Sequence, residues 1–120
     1  MTEDQIVRKI AVIFVTDVVS FSTLMEKNEN STLISLRACR QIMDQLFSKY
    51  DARIFNTAGD SVLAEFQSAV SAVICAAEFQ KMISKRNLSV SEDLQMQFRV
   101  GLNVGDVIAE GTNLYGEGVN

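Results

Sequence analysis

The order of apolar patterns predicts an α+β fold, with helices on one face of a mostly antiparallel sheet. Three observations carry this expectation. Ile10 to Val15 is an unbroken apolar run rich in β-branched residues, the mark of a strand in the middle of a covered sheet. Phe98, Val100, Leu102 and Val104 alternate strictly with other residues, the period of a strand with one apolar face. Two long stretches with helical spacing enclose a pair of short strand-like segments joined by a turn.

Taken in order, residues 1–8 read as a polar N-terminal segment, and residues 9–120 as one domain. The first strand, from Ile10, ends at Thr16-Asp17. Val18 to Lys27 carries Phe21, Leu24 and Met25 at helical spacing and predicts a short helix. Asn28 to Ser31 breaks it and offers N-cap residues for a longer helix over 32–49, with Leu36, Cys39, Met43, Leu46 and Phe47 on one face. Strands are expected over 52–56 and 62–66, around the turn Thr57-Ala58-Gly59-Asp60-Ser61, with Val62, Ala64 and Phe66 on one side. A third helix spans 68–85. Its stripe is Ala72, Ala76, Phe79 and Ile83, widened by Val73 and Ala77. After a polar connection over 87–95 comes the alternating strand. Gly105-Asp106 is expected to turn it, with a return strand from Val107 to Ala109 and a Gly-rich tail over 111–120. Two β-strands split by a helical crossover, twice over, make the ferredoxin-like (split βαβ) arrangement, whose strand order is 4-1-3-2.

Composition narrows the chemistry. The 120 residues include no His, which excludes Ser-His-Asp and Cys-His catalysis and His-ligated metals. Acid–base or metal work falls to carboxylates, which suit hard cations such as Mg²⁺. A net charge of −4 with scattered Lys and Arg argues against nucleic acid as partner. The sequence shows no transmembrane run, signal peptide or cysteine framework, so an intracellular, cytoplasmic protein is expected, with Cys39 and Cys75 as buried apolar residues.

Asp17 stands at the end of the first strand and Asp60 in the turn before the third. The 4-1-3-2 order places those two points side by side, so two carboxylates distant in sequence converge. Paired carboxylates repel unless a cation neutralises them, and a divalent metal is the natural occupant. The bland alternatives are that Asp17 caps a helix and that Asp60 and Asp106 are turn residues. Asn56, four residues before Asp60, either binds a ligand or completes the turn.

Four segments together resemble the catalytic domain of bacterial class III nucleotide cyclases (adenylate/guanylate cyclases). They are Phe14 to Ser22, Ile54 to Phe66, Phe98 to Val107 and Tyr115 to Asn120. They occur in the family's order and spacing across nearly the whole chain. The resemblance implies a nucleotide-cyclase-like fold and the conversion of ATP, less readily GTP, to a 3′,5′-cyclic nucleotide and pyrophosphate for signalling. It assigns two Mg²⁺ or Mn²⁺ ions to Asp17, Asp60 and the carbonyl of Val18. Val19, Ser20, Phe21 and Gly59 would lie along the triphosphate. Asn120 matches the family's transition-state Asn.

Two positions depart from the family. Its adenine-reading Lys falls at Asn56 and that residue's Asp partner at Asn113, so both polar contacts to the base would come from neutral amides. The resemblance also implies a head-to-tail homodimer, with metal residues from one subunit and base-reading residues from the other. The family domain continues past the match to Asn120 with a helix carrying a catalytic Arg and with closing strands. Residues 9–120 are therefore expected to be part of such a domain, weak or inactive alone. A non-catalytic dimerisation or nucleotide-sensing module is the second reading. A diguanylate cyclase is the third, disfavoured because Ala58-Gly59-Asp60-Ser61 lacks that family's Gly-Gly-(Asp/Glu)-Glu-Phe turn.

Overall fold

A computed structural model of the chain describes residues 6–116 and Val119. Strand β1 (Ile6–Val18) leads through a short turn to α1 (Phe21–Lys27) and α2 (Glu29–Lys49). The hairpin β2 (Arg53–Ala58) and β3 (Ser61–Phe66) follows, then α3 (Ala69–Leu88), a single 3₁₀ turn (Glu92–Leu94), β4 (Phe98–Glu110) and β5 (Asn113–Tyr115). All neighbouring strands are antiparallel, in the order β2-β3-β1-β4-β5. The expected 4-1-3-2 core is present, with β5 added outside β4.

The main core lies between the sheet and the helices. Val12, Phe14 and Val18 of β1, Val62, Ala64 and Phe66 of β3, and Phe98 of β4 meet Cys39, Met43 and Phe47 of α2 and Ala72, Cys75, Phe79 and Ile83 of α3. Three rings tie three elements together: Phe14 stacks on Phe66 at 5.4 Å, and Phe47 meets both edge-on at 5.2 and 5.7 Å. Each such pair contributes roughly 0.5–1.5 kcal/mol beyond its buried area. The two long helices, α2 and α3, are capped by side chains, α2 from within the segment the sequence offers. Asn28 Oδ1 accepts from the Ser31 amide at 3.0 Å, and Ser68 Oγ accepts from the Ser71 amide at 3.2 Å. Both cysteines are buried.

Several expectations change. Gly105-Asp106 does not turn the chain. Gly105 stays extended, paired with Ala11 in the β1–β4 ladder, and β4 runs on to Glu110. The reversal is at Gly111-Thr112, where Gly111 takes φ +60, so the return strand is Asn113–Tyr115. A run of thirteen paired positions along β1 outweighs one local turn signal. That same ladder draws residues 6–8 into β1, away from the polar segment they were assigned to. Ile10, expected inside, is 72% exposed because the helices do not reach that end of β1. Val73 and Ala77 are likewise exposed on α3 rather than widening its buried stripe. Asn87 belongs to α3, and its side chain holds the polar connection in place by bonding both the amide and the carbonyl of Met96.

The helix-free face carries a smaller core of Ala11, Ile13, Val107 and Leu114, with Phe55 and Val119 packed on it. The sheet curls over this core until its two edge strands, β2 and β5, touch. Arg53 of β2 clasps the curl by donating to the Thr112 carbonyl at 2.7 Å and to Glu65 at 3.0 Å, and Lys9 pairs with the other Glu65 oxygen at 2.6 Å. Burial alone would push the Glu65 carboxyl up. The hydrogen bonds and charges of Lys9 and Arg53 outweigh it and hold Glu65 below the usual value.

Candidate active site

Side chains alternate along a strand, so β1 sends Val12, Phe14, Thr16 and Val18 under the helices and Ala11, Ile13, Val15 and Asp17 to the other face. Asp17 thus emerges from the most buried strand at the open end of the helix-free face. Asp60 reaches the same point from the β2–β3 hairpin. Ala58 and Ser61 pair across the two-residue turn Gly59-Asp60, and Gly59 takes φ +59, a conformation such turns reserve for glycine at their first position. One contact closes the gap: the Val18 amide donates to Asp60 Oδ2 at 2.8 Å, 42 residues away in sequence. Asp60 thus sits against the residue that follows Asp17, and both acids line one cavity.

Ser20 stands in the left-handed region at φ 57, unusual for a non-glycine residue, and starts α1 with no side-chain cap. Such a conformation costs on the order of 1–3 kcal/mol and tends to persist where function requires it. Asp17, Val18, Ser20, Phe21, Ser22, Thr23, Asp60, Ser61 and Arg99 line one open cavity of about 330 Å³. Val19 and Gly59 do not line it. The Val19 amide is spent on the Gln97 carbonyl at 2.9 Å, and Gly59 serves the turn.

Arg99 escaped the sequence reading. It pairs with Asp17 in the β1–β4 register, and its Nε donates to Asp17 Oδ1 at 2.8 Å. The hydrogen bond to Asp17, and the charges of Asp17 and Asp60, hold the guanidinium above its usual pKa. The signal that could have found it is the alternation itself. If Phe98 and Val100 face the helices, Arg99 must face the side of Asp17.

Asn56 and Asn113 come together in a second cavity, of about 290 Å³, with Phe55, Leu114, Tyr115 and Val119. A β-bulge makes this possible. The β2–β3 register shifts between Ile54 and Asn56, so Asn56 pairs with Leu63 and falls on the helix-free face beside Phe55. The curl then brings β5 across. The two cavities share no described lining residue. Asn120 lies outside the described residues. A larger cavity, about 670 Å³ beside the α1–α2 turn, includes Leu24, Thr32 and Glu92 in its lining and shares no described residue with either.

The donor set suits a hard cation. Among the described residues no three His, Cys, Asp or Glu side chains cluster. Two carboxylates at an open cleft are the usual protein share of a Mg²⁺ site, which keeps water and substrate oxygens for its other positions.

Comparison with known proteins agrees with this geometry. Residues 2–117 match the model of the adenylate and guanylate cyclase catalytic domain. A Rhizobium meliloti (strain 1021) protein, provisionally named adenylate cyclase 3, is 40% identical over the whole chain, which spans 21% of that relative. An adenylate/guanylate cyclase/hydrolase from Silicibacter pomeroyi superposes at a TM-score of 0.87 with 31% identity, over 97% of this chain and 68% of that one. A bacterial light-regulated adenylyl cyclase shares the fold at a TM-score of 0.82 and 23% identity, over 96% of this chain and 66% of that one. The chain belongs to the adenylate and guanylate cyclase catalytic domain family.

Proposed function

We propose that this domain converts a purine nucleoside triphosphate, ATP first, into its 3′,5′-cyclic monophosphate and pyrophosphate, for intracellular signalling in the cytoplasm. The observation that carries the reading is that Asp60, which accepts from the Val18 amide across 42 residues of sequence, lines one cavity together with Asp17. A turn or capping role for either residue alone does not account for it. Asp17, Asp60 and the Val18 carbonyl would hold two Mg²⁺ or Mn²⁺ ions, and ions bound there supply Lewis-acid stabilisation of the phosphoryl oxygens. The ribose 3′-oxygen forms a bond to the α-phosphorus, the bond to pyrophosphate breaks, and the hydroxyl proton passes to water. Arg99 provides the cavity's fixed positive charge for the triphosphate. Ser20 and Phe21 shape the turn beside it. Asn56 and Asn113 take the base, and Asn120 acts at the transition state.

The metal-side and base-side cavities share no described residue, which supports a head-to-tail pair in which one subunit lends its base pocket to the metal site of the other. No helix among the described residues is long and apolar enough to cross a membrane.

The test is a cyclase assay of the purified chain with ATP and Mn²⁺, together with nucleotide binding. We expect Mn²⁺-dependent binding and weak cyclic AMP formation, both lost in Asp17→Ala and in Asp60→Ala. Binding without turnover would favour the nucleotide-sensing reading. Activity surviving both substitutions would overturn the site.

A further inference from the structure

The base-side cavity has walls of Phe55, Leu114, Tyr115 and Val119, and its two side-chain amides are Asn56 and Asn113. At about 290 Å³ it stands near the lower end of small-molecule sites, room for a purine ring rather than a whole nucleotide. None of its described lining residues carries a charge. Asn56 lies beside Phe55 because of the bulge in β2, and Asn113 opens β5 directly after the Gly111-Thr112 turn. Both are exposed on edge strands, so neither amide is committed to the sheet interior.

An ionised Lys only donates hydrogen bonds and an ionised Asp only accepts them, so such a pair imposes one polarity on the base. Adenine offers an acceptor at its ring nitrogen and a donor at its amino group. Guanine offers the reverse, a ring N–H and a carbonyl oxygen. A primary amide holds both a donor and an acceptor, and a half-turn of its terminal bond exchanges them. Building on the cyclase reading, we propose that Asn56 and Asn113 read a purine without imposing its polarity, so this site takes both ATP and GTP with weak discrimination. A site with fixed partners rejects the wrong analogue by about 10⁴–10⁵. A pair that can turn forfeits at most one ordinary hydrogen bond, so the two purines differ by about tenfold or less.

The test is competition of ATP, GTP and CTP against a fluorescent purine triphosphate on the purified chain with Mn²⁺. ATP and GTP are expected within about tenfold of one another, with CTP far weaker. Asn56→Lys with Asn113→Asp should raise the ATP preference to about a hundredfold or more, while Asn56→Gln, equally able to turn, should leave the ratio unchanged. Thermal melts of the three proteins establish that each is folded. A wild-type preference above about a hundredfold for either purine overturns the proposal and leaves the cyclase reading standing. So does a Lys/Asp variant with an unchanged ratio, or an Asn56→Gln variant with an altered one. Failure of every purine nucleotide to bind overturns both.

Discussion

Alternate residues of one strand meet opposite surroundings. On one face of β1, Val12, Phe14, Thr16 and Val18 are buried beneath helices, and Phe14 retains no exposed surface. On the other, Ala11 and Ile13 fill a small second core, and the row ends at Asp17 in an open cavity. The helix-covered face concentrates aromatic packing across β1, β3 and α2. The opposite face spends little apolar area and places charges, a strained turn and a bulge where a ligand can reach them. A period of two makes this division available to any strand, because neighbours in sequence never share a face. Activity and stability should therefore respond to different residues, even adjacent ones.

The sharpest test of that division is the helix-free face. Asp60→Ala should lower turnover by about a hundredfold or more, since charge stabilisation at a phosphoryl centre contributes several kcal/mol. The fold should persist, although the Val18 amide loses its partner at a cost of about 1–3 kcal/mol. Steady-state kinetics beside a urea titration separates the two effects. The mirror experiment is Phe14→Ala, expected to cost about 3–5 kcal/mol by the same titration. If Leu114→Ala, in the small core, cost more than Phe14→Ala, the proposed inequality between the faces would be wrong.

Glu65 refines the comparison, as the buried carboxylate on which the curl closes. Its folded pKa is depressed, so its contribution is present above the unfolded value, about 4.3, and is lost as pH falls through the folded value. Glu65→Gln should destabilise by about 1–2 kcal/mol at neutral pH, a figure reduced because Lys9 and Arg53 are partly exposed. The variant's stability should fall less steeply than wild type below about pH 4.3, read from urea midpoints across pH. Arg99→Gln should leave those midpoints unchanged, because the pair is exposed, yet tighten Mn²⁺ binding to the nucleotide-free protein by freeing Asp17. A calorimetric titration reads that difference. The smallest effect belongs to the covered face. Burial pushes the Cys75 thiol up to about 11 and raises Cys39 too, so neither should react with a thiol reagent at pH 8 until the protein is denatured.

Much of this was legible in residue order. The alternation Phe98, Val100, Leu102, Val104 identified β4's apolar row, and the register confirms it against Val18, Thr16, Phe14 and Val12. Asn28 to Ser31 announced the second helix. The end of β4 was misread because Gly105-Asp106 carries a strong local turn signal, and local signals yield to a long ladder. Arg99 was overlooked because its neighbour Asp17 lies 82 residues away, and only pairing register reveals that they face one another. The second cavity was invisible as a cavity. Its two amides meet through a bulge and a curl, neither of which has a periodic signature.

Periodicity and turn chemistry were enough to specify the order of strands and helices, which residues of a strand share a face, and that Asp17 and Asp60 end on adjacent elements. Those properties follow from backbone geometry repeated every two or 3.6 residues, and such repeats are written along the chain. Folding in three dimensions settled where β4 stops, that Arg99 neutralises Asp17, and that the sheet edges curl until Asn56 and Asn113 share a pocket. Each of those depends on contacts between distant segments, whose energies outweigh local preference and leave no trace in spacing.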